Sequence, residues 1–230
     1  MTAKKTSCYG CKFKSKSIFA STPKQALESA GFSPEVLTYP ANSTLLSSTH
    51  NSDAIFSLRK GMIKLERTMP DGNRRITALL KSGDTVGLRA WKTGDYGFDA
   101  IALGEVEVCR ISHADLKRIR KYASSLDDTV VERLCLEASQ ADLWLTHFSV
   151  GSVNQRFANL LLYLASHQGE GSNKMVRLLS REDMASILGV RHESISRAVT
   201  QFKADELMVH HERGNFSLNL AALKLQARSK

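Results

Sequence analysis

The sequence predicts an α+β fold in which a strand-rich half is followed by a helix-rich half, and three observations carry that expectation. Between about Tyr39 and Ser112, short runs rich in Ile, Leu and Thr are separated by glycine-marked turns. From about Ser125 to Val150 the chain has neither Gly nor Pro, as a long helix requires. Beyond Gly151, apolar residues recur at three- and four-residue steps before a final hairpin pattern.

A chain of 230 residues can bury two modest cores. Composition and charge divide it into a basic, cysteine-containing segment (1–24), a roll domain (25–122), a long helix (123–150) and a helical C-terminal domain (151–230). The net charge of +9 is unevenly spread. Residues 1–24 hold six lysines and no acid, residues 25–150 are close to neutral, and residues 151–230 carry 11 basic against 7 acidic side chains. Basic ends around a neutral middle point to a polyanionic partner, although excess lysine can also serve solubility alone. No run of about 18 apolar residues offers a membrane span. The N-terminal stretch "MTAKKTSCYGCKFKSKS" lacks the apolar core of a secretion signal, so a cytoplasmic protein is expected. In that reducing compartment Cys8, Cys11, Cys109 and Cys135 are expected as free or ligating thiols, not structural disulfides.

Within the roll, "AIFSLRKG", "MIKLERT" and "RRITALLK" read as strands, and "EVEVCRIS" (Glu105–Ser112) as the last of them. "MPDGNR" (Met69–Arg74) reads as a hairpin turn whose Asp-Gly pair supplies positive φ angles. "KSGDTVG" (Lys81–Gly87) is a second turn. Regular spacing of short strands argues for a small sandwich or barrel-like roll. In the long helix, Asp127 and Asp128 favour the N-terminus, and Val130 or Val131, Leu134, Ala138, Ala141, Leu145 and Phe148 form an apolar stripe. The roll can cover part of that stripe. A matching helix from a second copy would cover the rest, which predicts a homodimer.

Gly151–Ser152 reads as a hinge, followed by a helix from about Ser152 to Gln168 and a loop at "GEGSN". "LLSREDMASILGV" predicts a helix capped by Ser180, with Asp183 three residues on. Gly189 ends it in a left-handed turn. A second helix follows from about His192 to Asp205, so the pair forms a helix-turn-helix. In this second helix Ile195, Ala198, Val199 and Phe202 share a buried face, while Glu193, Ser196, Arg197 and Thr200 share the opposite one. The polar face begins at the end that enters the DNA major groove in this motif. Glu193 suits cytosine N4, Arg197 suits guanine O6/N7 or a phosphate, and Ser196 suits either. Ser180, Arg191 and His192 flank this face. "MVHHERGNFSLNL" reads as two short strands, a wing with Arg213 near its tip. Glu193 and Arg197 alone would fit an ordinary i,i+4 surface ion pair. That explanation leaves the capped helix, the glycine turn and the wing unaccounted for. No Ser/His/Asp order, Walker loop, HExxH or paired-carboxylate pattern appears, so an enzyme is not expected.

These residues resemble the CRP/FNR superfamily of bacterial transcription regulators over nearly the whole chain. The order is a cyclic-nucleotide-binding-like jelly roll, a dimerisation helix and a winged helix-turn-helix. "LSREDMASILGVRHESISRAVTQF" is similar to the family's DNA-binding signature, and its Glu193–Arg197 portion is of the FNR type. The resemblance implies a dimer on double-stranded DNA reading a TTGA-containing palindrome, with RNA polymerase as a further partner that contacts the "MPDGNRR" loop. Gly61, Gly83, Asp84 and Gly87 match the family's structural turns.

Two departures matter. Members that bind cyclic AMP carry a Gly-Glu-Leu motif and an Arg-Ser/Thr pair for the cyclic phosphate. Here "GLRAW" (Gly87–Trp91) replaces the first and Tyr96–Gly97 the second. Without that arginine the phosphate loses its bidentate partner, so no cyclic nucleotide is expected, although Arg89 lies nearby. FNR-type oxygen sensors hold an iron–sulfur cluster on four cysteines. Cys8, Cys11 and Cys109 match three of these, but the remaining position falls on Ser17. Cys135 on the long helix is a substitute ligand, giving the set Cys8, Cys11, Cys109 and Cys135. Neighbouring lysines are expected to lower the thiol pKa values of Cys8 and Cys11. A cluster, a thiol redox switch and purely structural cysteines all stay open, and His50, His113, His147 and His167 add no metal spacing.

Overall fold

A computed structural model describes residues 2–8, 11, 13–168 and 175–228; the side chains of residues 2–5 and of Arg213 lie outside that description. The expected loop "GEGSN" therefore lies outside the described residues. The chain forms two compact units, Met1–Gln140 and Ala141–Lys230, with the boundary inside the long helix.

The first unit is a two-sheet roll. Its strands are β1 (Thr2–Lys5), β2 (Glu35–Tyr39), β3 (Thr44–Leu46), β4 (Ala54–Lys60), β5 (Met62–Thr68), β6 (Arg74–Lys81), β7 (Thr85–Val86), β8 (Asp99–Ala102) and β9 (Val106–Ser112). One sheet has the order β1-β2-β9-β4-β7 and the other β3-β8-β5-β6, with antiparallel pairing throughout. Phe56, Leu58, Val106 and Val108 of the first sheet meet Leu46, Ile63, Leu80 and Ala100 of the second in one apolar core. The other face of the first sheet is covered as well. There Ile55 and Ile111 pack with Ile18 and Phe19, with Leu27 of α1 (Lys24–Ser29), and, past the short α2 (Ala90–Thr93), with Leu116 and Ile119 of α3 (His113–Arg120). Residues Ala54–Leu58 are therefore buried without interruption, and this strand shows no polar alternation.

Two turn expectations are refined. The β5–β6 connection closes with Met69 N–H donating to the Asn73 carbonyl at 2.8 Å, and only Gly72 of the Asp-Gly pair has positive φ. The Asp71 carboxylate accepts from the Asn73 backbone N–H at 3.0 Å and from its side-chain amide at 2.8 Å, which holds the turn. At the next turn Asp84 accepts from Lys81 N–H at 2.9 Å.

The basic segment, delimited from the roll by its charge, packs into the roll. β1 pairs with β2, Cys8 is buried, and Ile18 and Phe19 are fully buried. The physical reason is local: the Ile18–Phe19 pair fills the space between sheet and helices, and β2 offers an unpaired edge to β1.

The long helix α4 (Ser125–Phe148) buries Leu126, Val130 and Phe148 and half-buries Leu134. Val131, Leu136, Leu143 and Leu145 are 53–62% exposed in the single chain. Cys135 is exposed as well, so it is not core filler.

The second unit holds the end of α4, α5 (Val153–Gln168), β10 (Met175–Arg177), α6 (Arg181–Leu188), α7 (His192–Ala204), β11 (Met208–His210), β12 (Asn215–Leu218) and α8 (Leu220–Arg228). β12 pairs with both β10 and β11, so the wing sheet has three strands where two were expected. α8 was also not anticipated. At the expected hinge, Ser152 caps α5 by accepting from Gln155 N–H, and Gln155 Oε1 accepts from Ser152 N–H at 2.7 Å. Phe148 packs edge-on against Trp144 and Tyr163 at 4.7 and 5.7 Å. The end of α4 is thereby tied to α5.

Candidate nucleic-acid interface

α6 starts where Ser180 Oγ accepts from Asp183 N–H at 3.0 Å, satisfying one orphan donor of the first turn. It stops at Gly189, which takes the left-handed conformation (φ 62°) expected of this turn. Arg156 of α5 donates to the Leu188 carbonyl at 2.7 Å and so fixes the turn from outside. α7 then buries Ile195, Ala198, Val199 and Phe202 at 0–3% exposure. Phe202 packs against Phe157 with ring centroids 4.9 Å apart. Burying four such side chains contributes on the order of 1.5–3 kcal/mol for each of the larger ones, which holds the outer face in place.

That outer face presents Arg191, His192, Glu193, Arg197 and Thr200 exposed, with Ser196 half-buried among them. No ion pair joins Glu193 to Arg197 among the described residues. The surface-pair explanation is thus not realised, and both charged groups face outward. The Thr200 hydroxyl donates back to the Ser196 carbonyl at 3.1 Å. Ser196, Arg197, Thr200, Gln201 and Ala204 line one shallow concavity, and Gln201 was absent from the expected set. In the wing, His211 Nε2 lies 2.9 Å from Ser217 Oγ and His210 packs on Phe216. Arg213 sits in the turn Glu212–Gly214, but its side chain lies outside the described residues.

In the roll, Tyr96 is 3% exposed and its hydroxyl donates to the Ala54 carbonyl at 2.8 Å. A Cβ on Gly87 (φ +84°) would lie 2.8 Å from the Tyr96 ring, so this glycine is what admits the ring. Leu88 is buried beside it in sequence. Arg89 is exposed and reaches the Tyr96–Gly97 turn, with Arg67 and Asp95 around the same backbone. Glu137 of α4 is solvent-exposed as a residue, yet the crowding of its carboxyl by the roll raises its pKa to about 7. Desolvation is the main cause, Asp84 adds to it and Arg89 opposes it.

The cysteines depart from expectation. Burial pushes the Cys8 thiol up to about 12, with Cys109 and Cys11 adding to the rise and Lys14 and Arg59 opposing it. Cys109 rises to about 11, again mainly through burial and against Arg59. The predicted lowering by lysines fails for Cys8 because desolvation outweighs the nearby positive charge. Cys8, Cys11 and Cys109 lie within electrostatic reach of one another, but Cys135 is not among the groups acting on Cys8 or Cys109. The Ser17 hydroxyl is occupied, donating to the Lys14 carbonyl at 2.8 Å and accepting from Phe19 N–H at 3.2 Å. Among the described residues no group of three or more His, Cys, Asp or Glu side chains has a metal-holding arrangement. The donor set proposed for an iron–sulfur cluster, Cys8, Cys11, Cys109 and Cys135, does not fit that group. Among the described residues no helix is long and apolar enough to cross a membrane.

Two family models match the chain. The cyclic nucleotide-binding domain matches residues 36–122, and the Crp-like helix-turn-helix domain matches residues 155–225. The chain belongs to the CRP/FNR family of transcription regulators. This CRP/FNR regulator binds DNA and is not an enzyme. Among its relatives, the transcriptional regulatory protein btr of Bordetella pertussis is 27% identical over 175 residues, 75% of this chain and 72% of that protein. The nitrogen fixation regulation protein FixK of Bradyrhizobium diazoefficiens is 25% identical over 199 residues, 85% of this chain and 83% of that one. The solved structure of FixK2 from Bradyrhizobium japonicum shares the fold with a TM-score of 0.76 at 18% identity, covering 86% of the regulator and 98% of FixK2.

Proposed function

We propose that the regulator works as a homodimer that reads a TTGA-type palindrome with Glu193, Ser196 and Arg197. The observation that carries this reading is the outward, unpaired presentation of Glu193 and Arg197 on a helix whose other face is fully buried. Glu193 and Arg197 read base edges, while Ser180, Arg191, His192, Thr200 and Arg213 supply the flanking and backbone contacts. The exposed apolar arc Val131, Leu136, Leu143 and Leu145 forms the dimer surface. A signal in the roll changes the packing of the paired α4 helices, which sets whether the two α7 helices lie one DNA turn apart. The loop around Pro70–Arg75 is exposed or half-exposed and suits a contact with RNA polymerase.

The signal is not cyclic AMP in this reading, because a buried tyrosine and a glycine stand where the phosphate-binding pair would be. A second reading is favoured by the burial of Cys8 in the core beside Ile18 and Phe19: Cys8 is a structural thiol, and the effector acts elsewhere in the roll. The DNA reading is tested by replacing Glu193 with Ala and measuring binding to palindromes altered at each half-site position. The expected result is loss of about 1–3 kcal/mol of discrimination at one base pair per half-site. Unchanged half-site preference would refute it.

A further inference from the structure

Beyond Arg197, few polar groups on the outer face of α7 have hydrogen-bonding capacity to spare. The Thr200 hydroxyl is turned back onto the Ser196 carbonyl, and Ala204 has no polar side-chain atom. Gln201 follows Arg197 by four residues, about 6 Å further along the axis, on the adjoining strip of the same face. It lines the same concavity as Ser196 and Arg197. It is also held: the Asn154 side-chain amide, in the first turn of α5, donates to Gln201 Oε1 at 3.1 Å. One hydrogen bond across two helices fixes the plane of an otherwise free, exposed amide, and lowers the entropy lost when that amide binds.

The chemistry left over is specific. An amide oxygen has two lone pairs and an amide nitrogen two donors, so the bond from Asn154 leaves Gln201 one acceptor site and both N–H groups. That is the complement of adenine N6 and N7 in the major groove. We propose that Gln201 is a further specificity-determining residue, reading an adenine one or two base pairs beyond the pair read by Arg197, with Asn154 as its positioning residue. The inference rests on the assignment of α7 as the base-reading helix.

The test measures binding of wild type and of the Gln201→Ala, Asn154→Ala and Glu193→Ala variants to duplexes by fluorescence anisotropy. The inner TTGA-type pairs are held constant while each outer pair is set in turn to A·T, T·A, G·C and C·G; a second duplex series varies the inner pairs. The wild type should prefer adenine at one outer position by about tenfold per half-site. Gln201→Ala should bring that preference below about twofold and leave inner discrimination intact, while Asn154→Ala should give a value between the two. A wild type without outer preference overturns the proposal, as does a Gln201→Ala variant that keeps it. So does a uniform loss of affinity on all duplexes with a shallower salt dependence, the mark of a phosphate contact. Failure of the base-reading assignment is separate: it would appear as absent inner discrimination in the wild type, or as Glu193→Ala leaving inner discrimination unchanged.

Discussion

Cys8 shows how position in the fold overrides neighbours in sequence. Five lysines surround the Cys8–Cys11 pair between residues 4 and 16, and positive charge favours the thiolate. Burial works the other way and wins, so the folded thiol stays protonated up to about 12 against an ordinary 9.0. Between these values the unfolded chain has released a proton that the folded chain still holds. The stability from this group is complete below about pH 9 and is lost as pH rises towards 12. Thermal melts should therefore fall more steeply between pH 9 and 11 for the wild type than for Cys8→Ala. Equal slopes would mean that Cys8 is as accessible in the folded state as in the unfolded one. Cys109 shifts in the same sense, again by burial. None of this was legible in the sequence, because Cys8 is buried in a cluster with Ile18, Phe19 and residues as distant in sequence as Val130.

Among the helices read from the sequence, the buried face of α7 was the most legible and that of α4 the least. A helix of 13 residues with four apolar positions at i, i+3, i+4 and i+7 has one way to face a core, so the stripe predicts the buried side directly. α4 carries apolar residues over a wider arc, and sequence alone does not divide that arc between the roll and a second chain. The structure separates only the buried positions from the exposed ones: Val130 packs with the roll and Phe148 against Tyr163, whereas Val131 and Leu145 stay exposed. Leu145→Glu should consequently shift the protein from dimer to single-chain mass in sedimentation equilibrium. Its melting temperature at low concentration should barely move, since the position makes no core contact. If the mass is unchanged, the dimer surface lies elsewhere. β10 and α8 escaped notice because each lacks a self-contained signal. β10 has three residues and is defined by its partner β12, and α8 buries only Leu223 completely.

For the whole molecule, the uneven charge becomes a binding property. The net +9, concentrated at the two ends of the sequence, faces a polyanion whose counterions are released on binding. The slope of log Kobs against log salt should be at least about −5 for a dimer that neutralises six or more phosphates. Arg213→Ala should make that slope shallower by about two for the two copies, without changing half-site preference. A slope unaffected by Arg213→Ala would remove the wing arginine from the backbone contacts.

The sequence by itself determined the order of a roll, a long helix and a helix-turn-helix, together with the cap at Ser180, the turn at Gly189 and the outward face of α7. These depend on periodicity and turn chemistry within about 15 residues, which the chain states locally. Only the tertiary structure decided that the N-terminal segment joins the roll, that Cys8 is buried while Cys135 is exposed, and that Tyr96 fills the space behind Gly87. It alone brought Asn154 to Gln201, 47 positions away. Burial and cross-helix contacts of this kind are set by the packing of distant segments, and no local pattern encodes them.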